Sequence, residues 1–168
     1  MEAGTESDAA TIARAYFERV GARDLDGMME YWQPGGVGDI HGVAVLTAPT
    51  TYREWFGDLF AAVPDLRFEV LDLVAEGDQA AVRWRVTGTF DGDRRFNGLI
   101  PNGAGIDLTG LDLLTIRNGL IHRNEAYMNG VEMGQQLGIM PPQGSAAERA
   151  LTGAANLRTR LAQRLRRD

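Results

Sequence analysis

An α+β domain is the fold class the sequence predicts, and three observations predict it. Apolar residues recur at helical spacing in three stretches before Pro64. From Arg67 onward they alternate with polar residues at the two-residue period of strands. Helices therefore come first and strands later, an order that builds a meander with helices leaning on it rather than a parallel α/β sheet. The 168 residues are one domain's worth, and a hydrophobic content of 44% is enough for a real core.

Residues 8–23 put Ile12, Tyr16 and Val20 on one stripe with Ala13 and Phe17 beside it, a first amphipathic helix. Asp24 can cap a second, in which Leu25, Met28, Met29 and Trp32 recur at helical spacing. The run QPGGVGD at 33–39 breaks that pattern, and residues 39–46 read as a short strand. Thr51 and Glu54 have the spacing of a capping box ahead of a third helix, whose stripe is Tyr52, Trp55, Phe56, Leu59, Phe60 and Val63. Residues 67–75 and 80–90 form a hairpin. In its second arm Ala80, Val82, Trp84, Val86 and Phe90 alternate with Arg83, Arg85, Thr87 and Thr89, a strand with one buried face. After a turn-rich stretch, residues 106–117 and 120–128 make a second hairpin around Asn118-Gly119. A short helix over 131–138 closes the body at Gly138, with Pro141-Pro142 beyond. The domain is thus expected over 1–140, and 141–168 as an Arg-rich helical extension. Its Leu157, Leu161 and Leu165 lie at helical spacing. They meet a second protomer or the acidic body, or else belong to a solvated helix.

Composition excludes several kinds of chemistry. There is no cysteine, hence no thiol nucleophile and no Cys-ligated metal. All seventeen basic residues are arginine, which excludes a Schiff base on a lysine. The serines, Ser7 and Ser145, lie near the ends, far from any plausible triad, and two histidines cannot make a three-His zinc site. No glycine motif for phosphates or dinucleotides is present, so neither a metal nor an organic cofactor is expected. A net charge of −6, about −10 in the body against +4 in the tail, argues against nucleic acid or an anionic membrane as partner. Without a membrane-length apolar run or a leader pattern, the chain reads as soluble and cytoplasmic.

What remains is carboxylates, two histidines, tyrosines, asparagines and arginines. Among these Asp112 is anomalous. Its strand parity is Ile106, Leu108, Gly110, Asp112, Leu114 and Ile116, one carboxylate amid apolar or small neighbours. Such a group must be hydrogen-bonded, paired or kept protonated. It is either a merely satisfied buried aspartate or part of a site. A two-residue Asn118-Gly119 turn sets Asp112 opposite Glu125, a like-charge pair. A bulged turn sets it opposite Asn124 and puts Asp112, Leu114, His122, Asn124, Ala126 and Met128 on one face. The second register is preferred, because it avoids the clash and supplies an amide partner. That face suits a mostly apolar pocket with a few polar groups.

The stretch FNGLIPNGAGIDLTGLDLLTIRNGLI, followed by EMGQQLG, resembles the SnoaL-like polyketide cyclases of the nuclear-transport-factor-2-like superfamily, and FAAVPDLRFEVLDLVAEGDQAAVRWRVTGTF fits their helix–hairpin segment. The resemblance covers about residues 12–138. It implies a cone-shaped curved sheet, mixed or antiparallel, closed by the three helices around a central pocket. The cyclases' acid/base aspartate in the last strand aligns with Ala126, which cannot transfer a proton. Their polar residue in the preceding strand aligns with Asp112. Asp112 also aligns with the ketosteroid-isomerase aspartate that donates to an enolate oxygen, and Tyr16 with that enzyme's oxyanion tyrosine. In that isomerase an apolar site holds the carboxylic acid neutral. The isomerase base falls near Asp39 or His41. The Arg–Asp pair of limonene epoxide hydrolases has no convincing counterpart, since Arg83 and Arg85 sit on the polar parity.

The expectation is therefore a cofactor-independent enzyme of secondary, polyketide-type or antibiotic metabolism, acting on a bulky apolar carbonyl compound by acid/base-assisted cyclisation, isomerisation or rearrangement. Asp112, kept neutral, and Tyr16 polarise a carbonyl; Asn124 orients Asp112; His41 or Asp39 takes a proton. His41 reads more readily as a surface or hydrogen-bonded strand histidine than as a base. Trp32, Trp55, Phe56, Trp84, His122, Ala126 and Met128 are expected to line the substrate pocket. A non-catalytic small-molecule-binding protein, favoured by Ala126, or an epoxide-hydrolase-like enzyme remain the alternatives, and a homodimer is the expected assembly.

Overall fold

A computed structural model describes residues 8–166; residues 1–7, Ser7 among them, and 167–168 lie outside the described residues. The chain runs α1 (Asp8–Ala22), α2 (Leu25–Glu30), β1 (Trp32–Ile40), β2 (Ala44–Thr47), α3 (Thr50–Ala62), β3 (Arg67–Glu76), β4 (Gln79–Phe90), β5 (Ala104–Arg117), β6 (Leu120–Met128), α4 (Gly130–Gln136) and α5 (Ala146–Leu165). One six-stranded sheet has the order β2-β1-β6-β5-β4-β3. All neighbours are antiparallel except β1 and β6, which run parallel. The class is α+β, as the sequence pattern predicts, and the sheet is curved, unclosed and mixed, as the family resemblance implies.

The glycine-rich run after α2 is a strand, not a break. Trp32, which shares the helical period of α2, is instead the first residue of β1. Asp24 caps α2, accepting from Gly27 N–H. Beyond it, Pro34 cannot continue a helix, and pairing on both sides with β2 and β6 holds the run extended despite its low strand propensity. A bulge between Trp32 and Val37, with Gly35 at φ 82°, takes up the irregularity. The capping box at Thr51 does not form. Thr51 lies inside α3, and its hydroxyl accepts from Thr47 N–H and donates to Thr47 C=O, tying the helix to β2.

The β5–β6 hairpin differs from both anticipated registers. Asn118 and Gly119, at φ 52° and 74°, make the two-residue turn. A shift between Thr115 and Ile116 then bulges β6 around His122, so Asp112 faces Ala126 while Asn124 faces Leu114. The bulge adds one residue to β6, which keeps the expected parity inward and pairs Asp112 two residues beyond Asn124.

Buried side chains from α1, α2, β1, α3 and the inner face of the sheet form the principal core, which includes Tyr16, Phe17, Met28, Trp32, Tyr52, Val82, Trp84 and Leu114. A smaller cluster around Val63, Phe90, Phe96 and Leu137 lies under the 91–103 loop and α4. Outward, Arg83 pairs with Asp72 and Arg85 with Asp107, the latter by two hydrogen bonds of 2.7 and 2.6 Å. Among the described side chains, those of helix α5 give none to either core, and its Leu151, Leu157 and Leu161 are exposed. No helix among the described residues is long and apolar enough to cross a membrane.

Candidate functional site

Alternation along β4, β5 and β6 brings Trp84, Asp112 and Asn124 to the inner face of the sheet. Asp112 is 6% exposed. Its Oδ1 accepts the Trp84 indole N–H at 2.8 Å and its Oδ2 the Asn124 amide N–H at 2.6 Å. Burial raises its pKa to about 6, the two donors pulling the other way. Both oxygens thus act as acceptors, as in a carboxylate, and each keeps a further lone pair. The expectation of a neutral Asp112 rests on the same effect: burial favours the protonated form, while the two N–H donors favour the ionised one.

The Trp84 ring reaches its place because Gly110, next to it across β4 and β5, has no side chain. A Cβ there would overlap the indole. Tyr52, on the inward face of α3, is 1% exposed, and its hydroxyl rests on the backbone of β1 at Gly38 in the same manner. Tyr16 comes from α1 and is likewise buried. Burial first, and then the charge of Asp112, hold the Tyr16 phenol protonated. For Tyr52 burial again leads, followed by the charges of Tyr16 and Asp112, with the nearby Asn124 amide opposing them. Trp32 stands behind both tyrosines, edge-on to Tyr16 at 6.1 Å and tilted on Tyr52 at 4.4 Å between ring centres.

These polar groups lie at the wall of an apolar cavity of about 130 Å³. Apolar protein cavities of roughly 150 Å³ accept a benzene ring, so this one is on the scale of a single small ring. Phe56, Phe60, Phe68, Val86, Met128 and Met133 supply much of its surface. Trp55 lines it too and donates to Asn97 in the 91–103 loop at 3.2 Å. At that end Gln136 accepts from Asp107 N–H and donates to Asp107 C=O, fastening α4 to β5.

Of the residues singled out from sequence, Tyr16, Trp55, Phe56, Trp84, Asp112, Asn124, Ala126 and Met128 line this cavity. Trp32 does not; it is buried one layer behind. His122 is excluded as well, carried off by the β6 bulge. His41 and Asp39 are corrected as candidate bases: odd parity on β1 turns Asp39 outward, and His41 is stacked on exposed Tyr127 at 4.2 Å. There His41 stands 3.9 Å from both Asp39 and Glu125. The polar role of Tyr52 is not legible from its place in an apolar stripe. Isolated glycines at 38 and 110 inside strands are the available signal, since such positions mark close approach by another group.

A six-stranded curved sheet packed by helices over an apolar cavity with a buried carboxylate defines the nuclear-transport-factor-2-like class of α+β proteins. A family model for the SnoaL-like domain matches residues 13–124, and the chain belongs to that family. Among solved structures it is similar to AclR, a candidate hydroxylase from Streptomyces galilaeus, at 22% identity over 95% of this chain and 98% of that one, with a TM-score of 0.70. It is also similar to a SnoaL-like polyketide cyclase candidate from Jannaschia sp. CCS1 (23% identity, 84% and 99% covered, TM-score 0.72). A third likeness is to IdmH, a polyketide cyclase candidate from Streptomyces antibioticus (23%, 79% and 99%, 0.66). Likeness at these identities establishes the fold. No curated protein matches the sequence.

Proposed function

We propose that the protein is an acid/base enzyme acting on an apolar, carbonyl-bearing small molecule of polyketide type, without a cofactor, by cyclisation, isomerisation or rearrangement. One observation carries the reading: Asp112, with a pKa near 6, is the carboxylate of an otherwise apolar cavity. A carboxylate so poised removes a proton α to a carbonyl at neutral pH. The C–H electron pair becomes the enolate, Asp112 holds the proton, and the Tyr16 hydroxyl donates to the developing enolate oxygen. The enolate carbon then attacks a second carbonyl of the same molecule, whose oxygen takes up the π electrons and the proton held by Asp112, or the enolate takes that proton back at another carbon. Trp84 and Asn124 keep the carboxylate aimed and ionised.

The test is deuterium exchange. In D2O at pH 7, 1-phenylpropan-2-one is expected to exchange its α-hydrogens faster with the wild type than with buffer. The excess rate should rise with pH through about 6 and vanish in Asp112→Asn. Exchange no faster than buffer would overturn the reading. Ala126, directly opposite Asp112, favours a second reading, a non-catalytic binding protein, because the cross-strand position that could hold a second proton-transfer group is empty of one. That reading expects ligand-dependent melting shifts without exchange. The outer sheet face, with exposed Val74, Leu111 and Tyr127, supports association into a homodimer.

A further inference from the structure

Among the described residues, two buried polar atoms at the cavity wall have no hydrogen-bond partner: the Tyr52 hydroxyl and Asn124 Oδ1. Their residues are 1% and 4% exposed. An unmade hydrogen bond at such a place costs about 1–3 kcal/mol, so each atom calls for a partner.

The two atoms are neighbours by construction. Gly38 on β1 and Asn124 on β6 are paired in register, one strand spacing of about 4.8 Å apart. The Tyr52 hydroxyl sits where a Gly38 side chain would otherwise be. The Asn124 amide approaches the Tyr52 hydroxyl and tempers its pKa, but the contact falls short of hydrogen-bond geometry and leaves the hydroxyl and Asn124 Oδ1 unpartnered. The amide of Asn124 cannot turn over to suit Tyr52, because its N–H is engaged by Asp112 at 2.6 Å. Its carbonyl oxygen therefore remains an acceptor only, while the phenol can donate or accept. Donor and acceptor converge on one side of an apolar chamber, beside the carboxylate.

We propose that Tyr52 and Asn124 form a subsite for a hydroxyl group, which accepts from Tyr52 and donates to Asn124 Oδ1. Ligands that carry a phenol or enol O–H on an apolar frame meet both needs at once. A ketone oxygen meets the first alone, and a hydrocarbon neither. The subsite deepens the proposed function, resting on the same cavity, and makes the preferred substrate a hydroxylated or enolised carbonyl compound. Gly38 is its positioning residue.

p-Cresol and p-xylene have the same shape and differ by hydroxyl against methyl, which makes them the probes. In an apolar cavity without partners the cresol is the weaker ligand, since its hydroxyl loses water for nothing. Calorimetric titration of the wild type is expected to show p-cresol bound at least as tightly as p-xylene. In Tyr52→Phe the order should reverse, with p-cresol weakened about tenfold and p-xylene little changed. Gly38→Ala, which displaces the hydroxyl without deleting it, should do the same. These titrations need no turnover, so the order of the two ligands is read whether or not the exchange assay succeeds, which separates this subsite from failure of that assay. A wild type that prefers p-xylene, or a preference unaltered by Tyr52→Phe, would each overturn the proposal.

Discussion

Asp112 ties the pH dependence of stability to the candidate site, and the size of the effect follows from its burial. Its pKa is raised from the ordinary 3.8 to about 6. Two units correspond to about 3 kcal/mol. Between these values the native state holds a proton that the unfolded chain has released, so stability falls as pH rises. The contribution is fully present below the unfolded pKa and gone above the folded one. Asp112→Asn does not titrate, and every other group cancels when the variant is subtracted from the wild type at each pH. Over the practical window from about pH 4.5 to 7.5, the wild type should lose roughly 2 kcal/mol relative to the variant. With an m-value of roughly 2 kcal/mol/M, that is a relative shift of about 1 M in the urea midpoint. Urea titrations of both proteins by circular dichroism measure it. Midpoints that run parallel across the window would refute a buried, desolvated Asp112.

Trp84→Phe removes one of the two donors to the carboxylate, and a hydrogen bond to a charged group is worth about 1.5–3 kcal/mol; the Asp112 pKa should rise by about a unit or more, read from its carboxyl carbon-13 shift. Ala126→Asp places a second carboxylate directly across from Asp112, about 5 Å between Cβ atoms. At least one of the two pKa values then rises further, stability drops as pH passes neutrality, and p-xylene binds more weakly; calorimetry and unfolding at pH 5 and 8 check both effects. Ending the chain at Gly144 deletes a helix whose described side chains are outside both cores, so the melting temperature should move by about 1 °C or less. Sedimentation of the two lengths decides whether α5 contributes to the proposed dimer: equal dimer stability removes it from the interface.

Where the buried face of an element is built from large apolar residues, its periodicity was readable from the sequence. The stripe of Ile12, Tyr16 and Val20 becomes α1, and the alternation from Ala80 to Phe90 becomes β4. β1 was not readable, because WQPGGVGDI has neither the alternation nor the propensity of a strand; its conformation is imposed by partners on both sides. The inward parity of β6 was legible from the misfit of Asp112, yet its register was not. A bulge at His122 is a property of the packed sheet, and two-residue turn chemistry alone points to the wrong pairing. The same limit applied to His41. Only the assembled strand order shows that its neighbourhood faces Glu125 and Tyr127 on the outside.

The energetics of the site bear on its purpose. The chain holds a titratable carboxyl in an apolar chamber, where a leucine of similar volume would cost nothing in desolvation. Two strand glycines, each with its own cost in backbone entropy, make room for the aromatic groups around that carboxylate. Gly110 admits the indole that donates to Asp112, and Gly38 admits the phenol that sits beside Asn124. None of these choices improves packing over an all-apolar wall. Together they fix the direction of a carboxylate and leave one donor–acceptor pair unspent at its side. An arrangement that lowers stability at several positions for one shared geometry is what a ligand site requires, and a purely structural core does not.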